Sequence, residues 1–257
     1  IISARNVLCT AFDTPGLSFR RHRCSIFVQH YFHGSDNMKK VLITGGSRGI
    51  GAAMAKLFAE NGYSVFITYK KNHAAAAAVN ATAFCADVTD FRAMHDVIEK
   101  AGGVDVLINN AGIAEQKLFS DITPEDWARM IGVNLTGVYN CCHAALPYMI
   151  RKKSGCIINV SSMWGICGAS CEVHYSASKA GVIGLTKALA KEAAPSGITV
   201  NCIAPGAVDT DMNKILDPED IRILKEETPL GRLGTPEEIA KCALYLAQNG
   251  GFMTGQV

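Results

Sequence analysis

The residue types that carry acid–base chemistry meet in the segment YSASK, which places Tyr175 and Lys179 four positions apart. On a helix, this spacing puts both side chains on one face. A free phenol has a pKa of about 10 and is a poor acid or base near neutrality. A fixed ammonium group beside it stabilises the phenolate and lowers that pKa. The pair therefore predicts a group that gives a proton to a carbonyl oxygen or takes it back. His174 precedes the pair and is interpreted as a neighbour that the helix points elsewhere.

A glycine-rich turn, TGGSRGIG, follows an apolar run and precedes a helical pattern at residues 44–51. Glycines let a backbone turn tightly and approach a pyrophosphate, and the helix that follows offers free N–H groups and the positive end of its dipole. The alternative interpretation is a glycine turn without a ligand. The context of strand, turn and helix favours phosphate binding. The predicted contacts are Gly45, Ser47, Arg48, Gly49, Ile50 and Gly51.

The elements that must position these residues alternate along the chain. Short apolar runs predict strands at Lys40–Thr44, Ser64–Tyr69, Ala83–Ala86, Val104–Asn109, Gly155–Ser161 and Ile198–Ile203. Helical patterns cover Ile50–Asn61, His73–Ala81, a region from about Thr123 to Lys152, Tyr175–Ala194 and Pro236–Gln248. Continuous apolar strands between helices predict parallel strands that are buried on both faces. We therefore expect an α/β fold, a single-domain Rossmann-type doubly wound parallel sheet with helices on both faces, and ligands at the carboxyl ends of its strands.

Composition excludes several classes of protein. The 257 residues are 49% hydrophobic and 19% charged, with a net charge of only +2, so the basic surface of a nucleic-acid binder is not expected. No apolar run approaches the roughly 20 residues that span a bilayer, and we expect no membrane partner. Ten cysteines without a C-x-x-C spacing predict small buried thiols in a reducing cytoplasm. His143 beside Cys142 has no evident third ligand, so no metal site is predicted.

The two ends of the chain stand apart from this pattern. Residues 1–37 lack periodicity and carry an Arg-His cluster at residues 20–23, whereas Met38 directly precedes the first strand. The favoured interpretation is that residues 1–37 lie upstream of the true start at Met38, so they are expected to be a non-native or disordered extension. The alternatives are an organellar transit peptide and a disordered extension with its own role. Residues 38–257 are expected to form one domain that is shortened at its C-terminus.

The order of the motifs resembles the short-chain dehydrogenase/reductase family over about residues 39–257. The glycine turn, Asp87, the NNAG stretch at 109–112, Asn134, Ser162, the Tyr-Lys pair and Pro205-Gly206 occur in the family order. The resemblance implies a catalytic tetrad of Asn134, Ser162, Tyr175 and Lys179. Asn134 would anchor a water that relays protons to the lysine, Ser162 rather than Ser161 would hold the substrate carbonyl oxygen, and Lys179 would bind the nicotinamide ribose. Further cofactor contacts that the resemblance implies are Tyr69, Lys70, Asp87, Val88, Asn110, Ala111, Gly112, Pro205, Gly206, Val208 and Thr210.

The choice of nicotinamide cofactor depends on the end of the second strand. NAD sites commonly carry an acid there, and residues 68–72 (TYKKN) contain none. Arg48, together with Lys70 or Lys71, supplies the positive charge that a 2′-phosphate needs. We therefore predict NADPH in preference to NADH, with a solvated turn as the alternative interpretation of the two lysines.

The substrate is predicted from two narrower resemblances. Thr44–Gly51, Ala204–Gly206 and Thr210–Met212 are similar to bacterial 3-oxoacyl-acyl-carrier-protein reductases, which implies an acyl carrier protein as partner and a homotetramer. That family docks its carrier on basic residues; Lys153 can serve at one position, but the other is Ser196. Residues 162–165 and 168–173 instead resemble the elongation factor P 5-aminopentanone reductases, whose substrate carries an amine that Glu172 can pair with. A sugar or polyol dehydrogenase and a nucleotide-binding protein without turnover are the remaining alternatives.

Overall fold

The computed structural model describes residues 38–211 and 217–257. The predicted extension at residues 1–37, and Met212, lie outside the described residues. Six strands are present in this part of the chain: β1 Lys40–Ile43, β2 Ser64–Tyr69, β3 Thr82–Cys85, β4 Val106–Asn109, β5 Gly155–Val160 and β6 Ile198–Ile203. They form one fully parallel sheet in the order β3-β2-β1-β4-β5-β6. The predicted doubly wound α/β fold is confirmed, and the strand order reverses direction between β1 and β4, where such sheets bind ligands.

Several helices in the described part of the chain begin at a residue whose side chain caps their first turn. The helices of this part are α1 Gly49–Glu60, α2 His73–Ala77, α3 Phe91–Lys100, α4 Pro124–Ile131, α5 Gly137–Lys152, α6 Trp164–Cys167, α7 Val173–Ala193, α8 Pro218–Glu227 and α9 Pro236–Asn249. Thr123 and Thr235 form capping boxes at the starts of α4 and α9, each with a proline in the first turn. The helix predicted over residues 73–81 is wrong in length, because α2 ends at Ala77 and a turn leads into β3.

Between α4 and α5 the helical path widens. Residues Gly132–Thr136 form one π-helical turn, where the sequence predicts that a helix from about Thr123 leads into a long helix through Asn134 to Lys152. A π turn inserts an extra residue into the helical ladder and is frequent at functional sites. Here, the turn places Asn134 in the interior, fully buried.

Each face of the sheet buries its own apolar layer. Alternate strand residues Leu42, Leu107, Ile157 and Val200 face α3, α5 and α7. Their neighbours Val41, Ile43, Ile108 and Ile158 face α1 and α9. Side chains of a strand alternate between the two faces, so continuous apolar strands are what a sheet covered on both sides requires.

The cysteines only partly follow the prediction of buried thiols. Cys141, Cys142, Cys156 and Cys202 are buried, and burial raises the pKa of each thiol, to about 12 for Cys142 and about 11 for Cys156. The prediction is wrong for Cys85, Cys167 and Cys242, which are exposed. Residues 38–211 and 217–257 contain no helix with both the length and the apolar character that a bilayer crossing requires.

Candidate active site

The predicted site residues converge at the carboxyl ends of β1, β4, β5 and β6. A short network of buried polar groups fixes this edge of the sheet from beneath. Asn109, at the end of β4, donates from Nδ2 to Oδ1 of Asn159 at 2.8 Å, and Asn159 donates from its own Nδ2 to the Thr186 hydroxyl at 2.9 Å. The network ties β4 and β5 to α7, which carries the Tyr-Lys pair. Asn109 thereby stabilises the sheet, and the residues that follow it lie at the carboxyl ends of the strands, where such sheets bind ligands.

The glycine turn is built to bring backbone close to a ligand. Gly45 and Gly49 have φ angles of +64° and +52°, a region that side chains other than glycine rarely adopt. A Cβ at Gly51 would lie only 2.4 Å from the carbonyl oxygen of Gly45, so the turn and the first turn of α1 can pack this closely only with glycine. Ser47 and Ile50 are half-buried parts of the same turn.

The N-terminus of α1 lacks a cap of its own. Arg48 precedes the helix with an extended backbone and caps none of its amides, and the first turn contains no acidic residue. By contrast, α3, α4, α8 and α9 each begin with an Asp or Thr side chain that accepts from a first-turn amide. Free amides at a helix N-terminus fit a phosphate group. This end of α1 therefore fits the pyrophosphate of a dinucleotide.

The segment after β4 is hydrogen-bonded to the glycine turn. The Thr44 hydroxyl accepts from the backbone N–H groups of Asn110 and Ala111, both at 3.0 Å. The Asn110 side chain donates to the carbonyl oxygens of Thr44 at 3.0 Å and of Gly45 at 3.3 Å. Gly112 then passes beside the buried end of the site, since a Cβ there would lie 3.4 Å from Asn134 Oδ1 and 3.5 Å from Lys179 Nζ.

The far end of the predicted cofactor site contains an ion pair. Lys70, at the end of β2, pairs with Asp87, which follows β3. Burial works to raise the pKa of Asp87, but the hydrogen bonds from Lys70 and Thr89 outweigh it and lower that pKa. Val88 is buried beside Asp87, and its carbonyl oxygen accepts from Asn140 at 2.9 Å. The structure thus brings Lys70 and Asp87 together, while Arg48 is exposed at the glycine turn and Tyr69 bonds His73.

Asn134 is the most completely bonded of the four predicted catalytic residues. Its Oδ1 accepts from the backbone N–H of Ile113, and its Nδ2 donates to the Ile113 carbonyl, both at 2.9 Å. The same Nδ2 lies 3.1 Å from the Ser178 hydroxyl, next to Lys179 on α7. The π turn at Gly132–Thr136 thereby holds together the segment after β4 and the helix of the Tyr-Lys pair.

Ser162 and Tyr175 lie close together. The Ser162 hydroxyl is near enough to the phenol to lower the pKa of Tyr175, and it accepts from the backbone N–H of Trp164 at 3.2 Å. Ser161, the neighbour, turns the other way and donates to the carbonyl oxygen of Lys179 at 2.8 Å. Of these two serines, therefore, only Ser162 lies beside the phenol.

The Tyr-Lys pair differs from the expectation in its electrostatics. Lys179 is buried, and this desolvation lowers its pKa to about 8. Its Nζ donates to the carbonyl oxygen of Val160 at 2.9 Å and lies 5.7 Å from the centre of the Tyr175 ring. Burial raises the pKa of Tyr175; the nearby Ser162 hydroxyl opposes this, and Glu172 adds to it. The predicted lowering of the phenol pKa is wrong, because desolvation dominates and the ammonium of Lys179 is directed at the Val160 carbonyl oxygen.

The loop after β6 completes the edge. The Pro205 carbonyl oxygen accepts from the N–H of Met163 at 2.9 Å, and a Cβ at Gly206 would lie 3.6 Å from the Met163 sulfur. Thr210 reaches the glycine turn, since a Cβ at Gly49 would lie 3.6 Å from its methyl group. Val208 is buried in an isolated bridge to Gly234. The structure therefore brings all these predicted residues to one edge.

Sequence reasoning missed the residues that flank Tyr175. His174 is fully buried, and Glu115 Oε2 lies 3.7 Å from its Nε2. A signal was present in the adjacency of His174 to Tyr175, but its contact with Glu115 arises only through the fold. Across the described ranges, no cluster of three or more His, Cys, Asp or Glu residues is arranged to hold a metal ion; His143 instead hydrogen-bonds His95 at 3.1 Å.

Comparison with known proteins agrees with this geometry. Residues 39–220 match the model of a protein family described as short chain dehydrogenase. A 3-oxoacyl-[acyl-carrier-protein] reductase of Chlamydia trachomatis is 42% identical, with 85% of this chain and 94% of the relative covered. An acetoacetyl-CoA reductase of Rhizobium meliloti is 44% identical over 83% of this chain and 93% of the relative. The crystal structure of a 3-oxoacyl-[acyl-carrier protein] reductase from Brucella melitensis superposes with a TM-score of 0.80 at 36% identity, covering 85% of this chain and 88% of that one.

Proposed function

The chain belongs to the short-chain dehydrogenase family, and we propose that within it the chain is an NADPH-dependent reductase of 3-oxoacyl groups carried by an acyl carrier protein. Membership makes it an oxidoreductase that acts on a carbonyl or hydroxyl group with a nicotinamide cofactor. The observation that carries the reaction type is the Ser162–Tyr175 contact at the carboxyl end of the sheet, next to buried Lys179. The similarity to two 3-oxoacyl carrier-protein reductases supports the substrate.

Tyr175 is the proposed proton donor. Burial raises the pKa of its hydroxyl, so the phenol is protonated at neutral pH, which is the form that a carbonyl oxygen needs as it becomes an alcohol. Ser162 lies beside the phenol, and its hydroxyl can hold the same carbonyl oxygen. A bound nicotinamide supplies the hydride of the reduction.

Lys179 and Asn134 are the proposed supports of this proton transfer. With a pKa lowered to about 8, Lys179 holds its proton at neutral pH but releases it more readily than an exposed lysine. It can also bond the ribose of the cofactor. Asn134 joins the segment after β4 to α7 and so fixes the place of Lys179.

The cofactor is proposed to lie along the carboxyl ends of the strands. The uncapped amides of α1 and the glycine turn would hold the pyrophosphate. The segment from Asn110 to Gly112 would lie beside the cofactor, and the loop from Pro205 to Thr210 would contact its nicotinamide end. Asp87 and Val88 would flank the adenine, next to Tyr69.

NADPH is proposed over NADH because positive charge lies where the adenosine end would sit. Arg48 is exposed at the glycine turn, and the Lys70 side chain is 60% exposed although it pairs with Asp87, so both are open to a 2′-phosphate. Initial rates with each cofactor test this choice. Arg48→Ala should raise the KM for NADPH about tenfold or more and leave that for NADH nearly unchanged, since a charge-assisted bond contributes about 1.5–3 kcal/mol. Equal losses for both cofactors would contradict it.

The reaction is tested by following NADPH oxidation with acetoacetyl thioesters of acyl carrier protein and of coenzyme A. Tyr175→Phe should reduce kcat at least a hundredfold, because it removes the donated proton and little else. Tyr245→Phe, at an exposed tyrosine on α9, is the matched control and should leave kcat unchanged. Turnover that survives in Tyr175→Phe would refute the proposed mechanism.

The aminoketone of modified elongation factor P remains the alternative substrate, since Glu172 is half-buried beside Tyr175. Reduction of that ketone but not of the acyl thioester, followed by mass spectrometry, would replace the first proposal. The proposal also includes the cytoplasm as the compartment and a homotetramer as the assembly. Light scattering during size-exclusion chromatography tests the assembly.

A further inference from the structure

His174 has an unusual environment for an imidazole. Its side chain is fully buried directly before Tyr175, and neither ring nitrogen has a hydrogen-bond partner. Buried polar groups in folded proteins are almost always hydrogen-bonded, and an unpaired one carries a desolvation cost. Among the described residues, Asn109 Oδ1 is the only other buried side-chain nitrogen or oxygen in this condition. We therefore expect the imidazole of His174 to gain a hydrogen-bond partner in another state of the site.

Glu115 is the partner within reach. Its Oε2 lies 3.7 Å from Nε2 of His174. An N–H···O hydrogen bond spans about 2.9 Å, so an approach of less than about 1 Å would form one. The same Oε2 is bonded by Arg129 of α4 at 2.5 Å, which keeps the carboxylate next to the imidazole.

The segment that contains Glu115 lies along the start of α7. The backbone N–H of Lys117 donates to the carbonyl oxygen of Cys171 at 2.7 Å. The side chain of Gln116 donates to Glu172 at 3.4 Å. Glu172 is in turn close enough to Tyr175 to raise the pKa of its hydroxyl. Residues 115–117 therefore lie along residues 171–174, which directly precede Tyr175, and a movement of Glu115 toward His174 would draw this segment closer to the phenol.

We infer that His174 is a positioning residue: in the substrate-bound site its Nε2–H donates to the carboxylate of Glu115 and so fixes residues 115–117 beside Tyr175. This role rests on the proposed function, because it concerns the substrate side of the same site. His174 does not touch the reacting atoms in this scheme. It acts through Glu115 on residues 115–117, which would border the carbonyl substrate.

The competing explanation is that His174 only fills space. An apolar side chain of similar size would then serve equally well or better, because replacing a buried unpaired polar group by an apolar one is often stabilising. His174→Leu separates the two explanations. His174→Gln is the conservative variant, since its amide can present an N–H near the position of Nε2.

The experiment measures kcat, KM for the acetoacetyl thioester, NADPH affinity by fluorescence, and the melting temperature. His174→Leu should raise KM about tenfold, which equals about 1.4 kcal/mol, with kcat and NADPH affinity within twofold and an unchanged or higher melting temperature. His174→Gln should restore most of the KM. An unchanged KM in His174→Leu, or a glutamine variant as poor as the leucine variant, would overturn the inference.

Glu115→Ala provides a second route that leaves the buried position intact. It removes the acceptor and should also raise KM, and the double variant His174→Leu/Glu115→Ala should be no worse than the poorer single variant, because both remove the same bond. Glu125→Ala, at an exposed glutamate of α4, is the matched control. Additive effects of the two substitutions would overturn the inference. Absence of turnover in the unaltered enzyme would instead refute the proposed function and this role with it.

Discussion

Replacing Lys179 by methionine should make the folded chain more stable at neutral pH. The same substitution should abolish the proposed carbonyl reduction. The ammonium group is buried, with only 4% of the residue exposed, and this desolvation lowers its pKa from 10.5 to about 8. A lysine whose pKa is lower in the folded chain than in the unfolded one opposes folding wherever it is charged in both. Methionine has a similar length and carries no charge, so it removes that opposition.

The magnitude follows from the two pKa values. A difference between 10.5 and about 8 corresponds to about 3 kcal/mol, at about 1.4 kcal/mol for each pKa unit. This cost is fully present below pH 8, shrinks as pH rises from 8 to 10.5, and vanishes above 10.5, where the amine is neutral in both states. The variant also loses the hydrogen bond from Nζ to Val160, which contributes about 1 kcal/mol. The net gain at pH 7 is therefore about 2 kcal/mol, and it should disappear by about pH 10.

Urea unfolding of the two proteins at pH 7, 8.5 and 10 measures this gain. Comparing the variant with the unaltered chain at each pH cancels the contributions of the buried thiols and tyrosines that titrate in the same range. Lys187→Met, at an exposed lysine on the same helix, is the matched control and should change little at any pH. A Lys179→Met variant that is less stable by the same amount at all three pH values would refute the argument from burial.

Three further predictions concern the same edge of the sheet. Gly51→Ala should weaken NADPH binding at least tenfold and lower the stability of the fold by about 1–3 kcal/mol, because its Cβ would lie 2.4 Å from the Gly45 carbonyl oxygen. NADPH titration and thermal melting measure the two effects. Gly184→Ala on α7 is the control and should be neutral or stabilising in both assays, because nothing lies within 4 Å of its Cβ. Asn134→Ala should lower kcat at least tenfold with NADPH affinity nearly unchanged, since it removes the bonds that join Ile113 to Ser178; an unaltered kcat would contradict its role. The kcat of reduction should fall as pH rises through about 8, where Lys179 loses its proton, and a rate that stays flat to pH 10 would show that this proton is not used.

The sheet could be predicted from the sequence because its signals are local. Strands β2 and β6 fall at the predicted residues, since each is a continuous apolar run between breakers. The glycine turn could also be predicted, because the positive φ angles at Gly45 and Gly49 need a residue without Cβ. The helix predicted at 73–81 failed for the same local reason, since an alanine run has high helix propensity but nothing in it marks the end at Ala77.

The features that could not be predicted depend on contacts between distant residues. The π turn at Gly132–Thr136 places Asn134 where it bonds Ile113 and Ser178, which are 21 and 44 residues away. The pairing of Lys70 with Asp87 joins two strand ends, and each residue alone is typical of a solvated turn. The burial of His174 depends on how α7 packs against α4 and the segment after β4. Motif spacing identified which side chains meet, but not the directions in which their nitrogens and oxygens point.

The direction of the pKa shift at Tyr175 was the substantial error of the sequence prediction. Electrostatic attraction between Tyr175 and Lys179 would favour a phenolate beside an ammonium. Burial instead penalises both charges, so the pKa of Tyr175 rises and that of Lys179 falls to about 8. At neutral pH both groups therefore carry their protons, and Tyr175 can donate to a carbonyl oxygen only as negative charge develops on that oxygen. The burial of the Lys179 ammonium costs about 3 kcal/mol, and the stability gained by Lys179→Met would measure that cost.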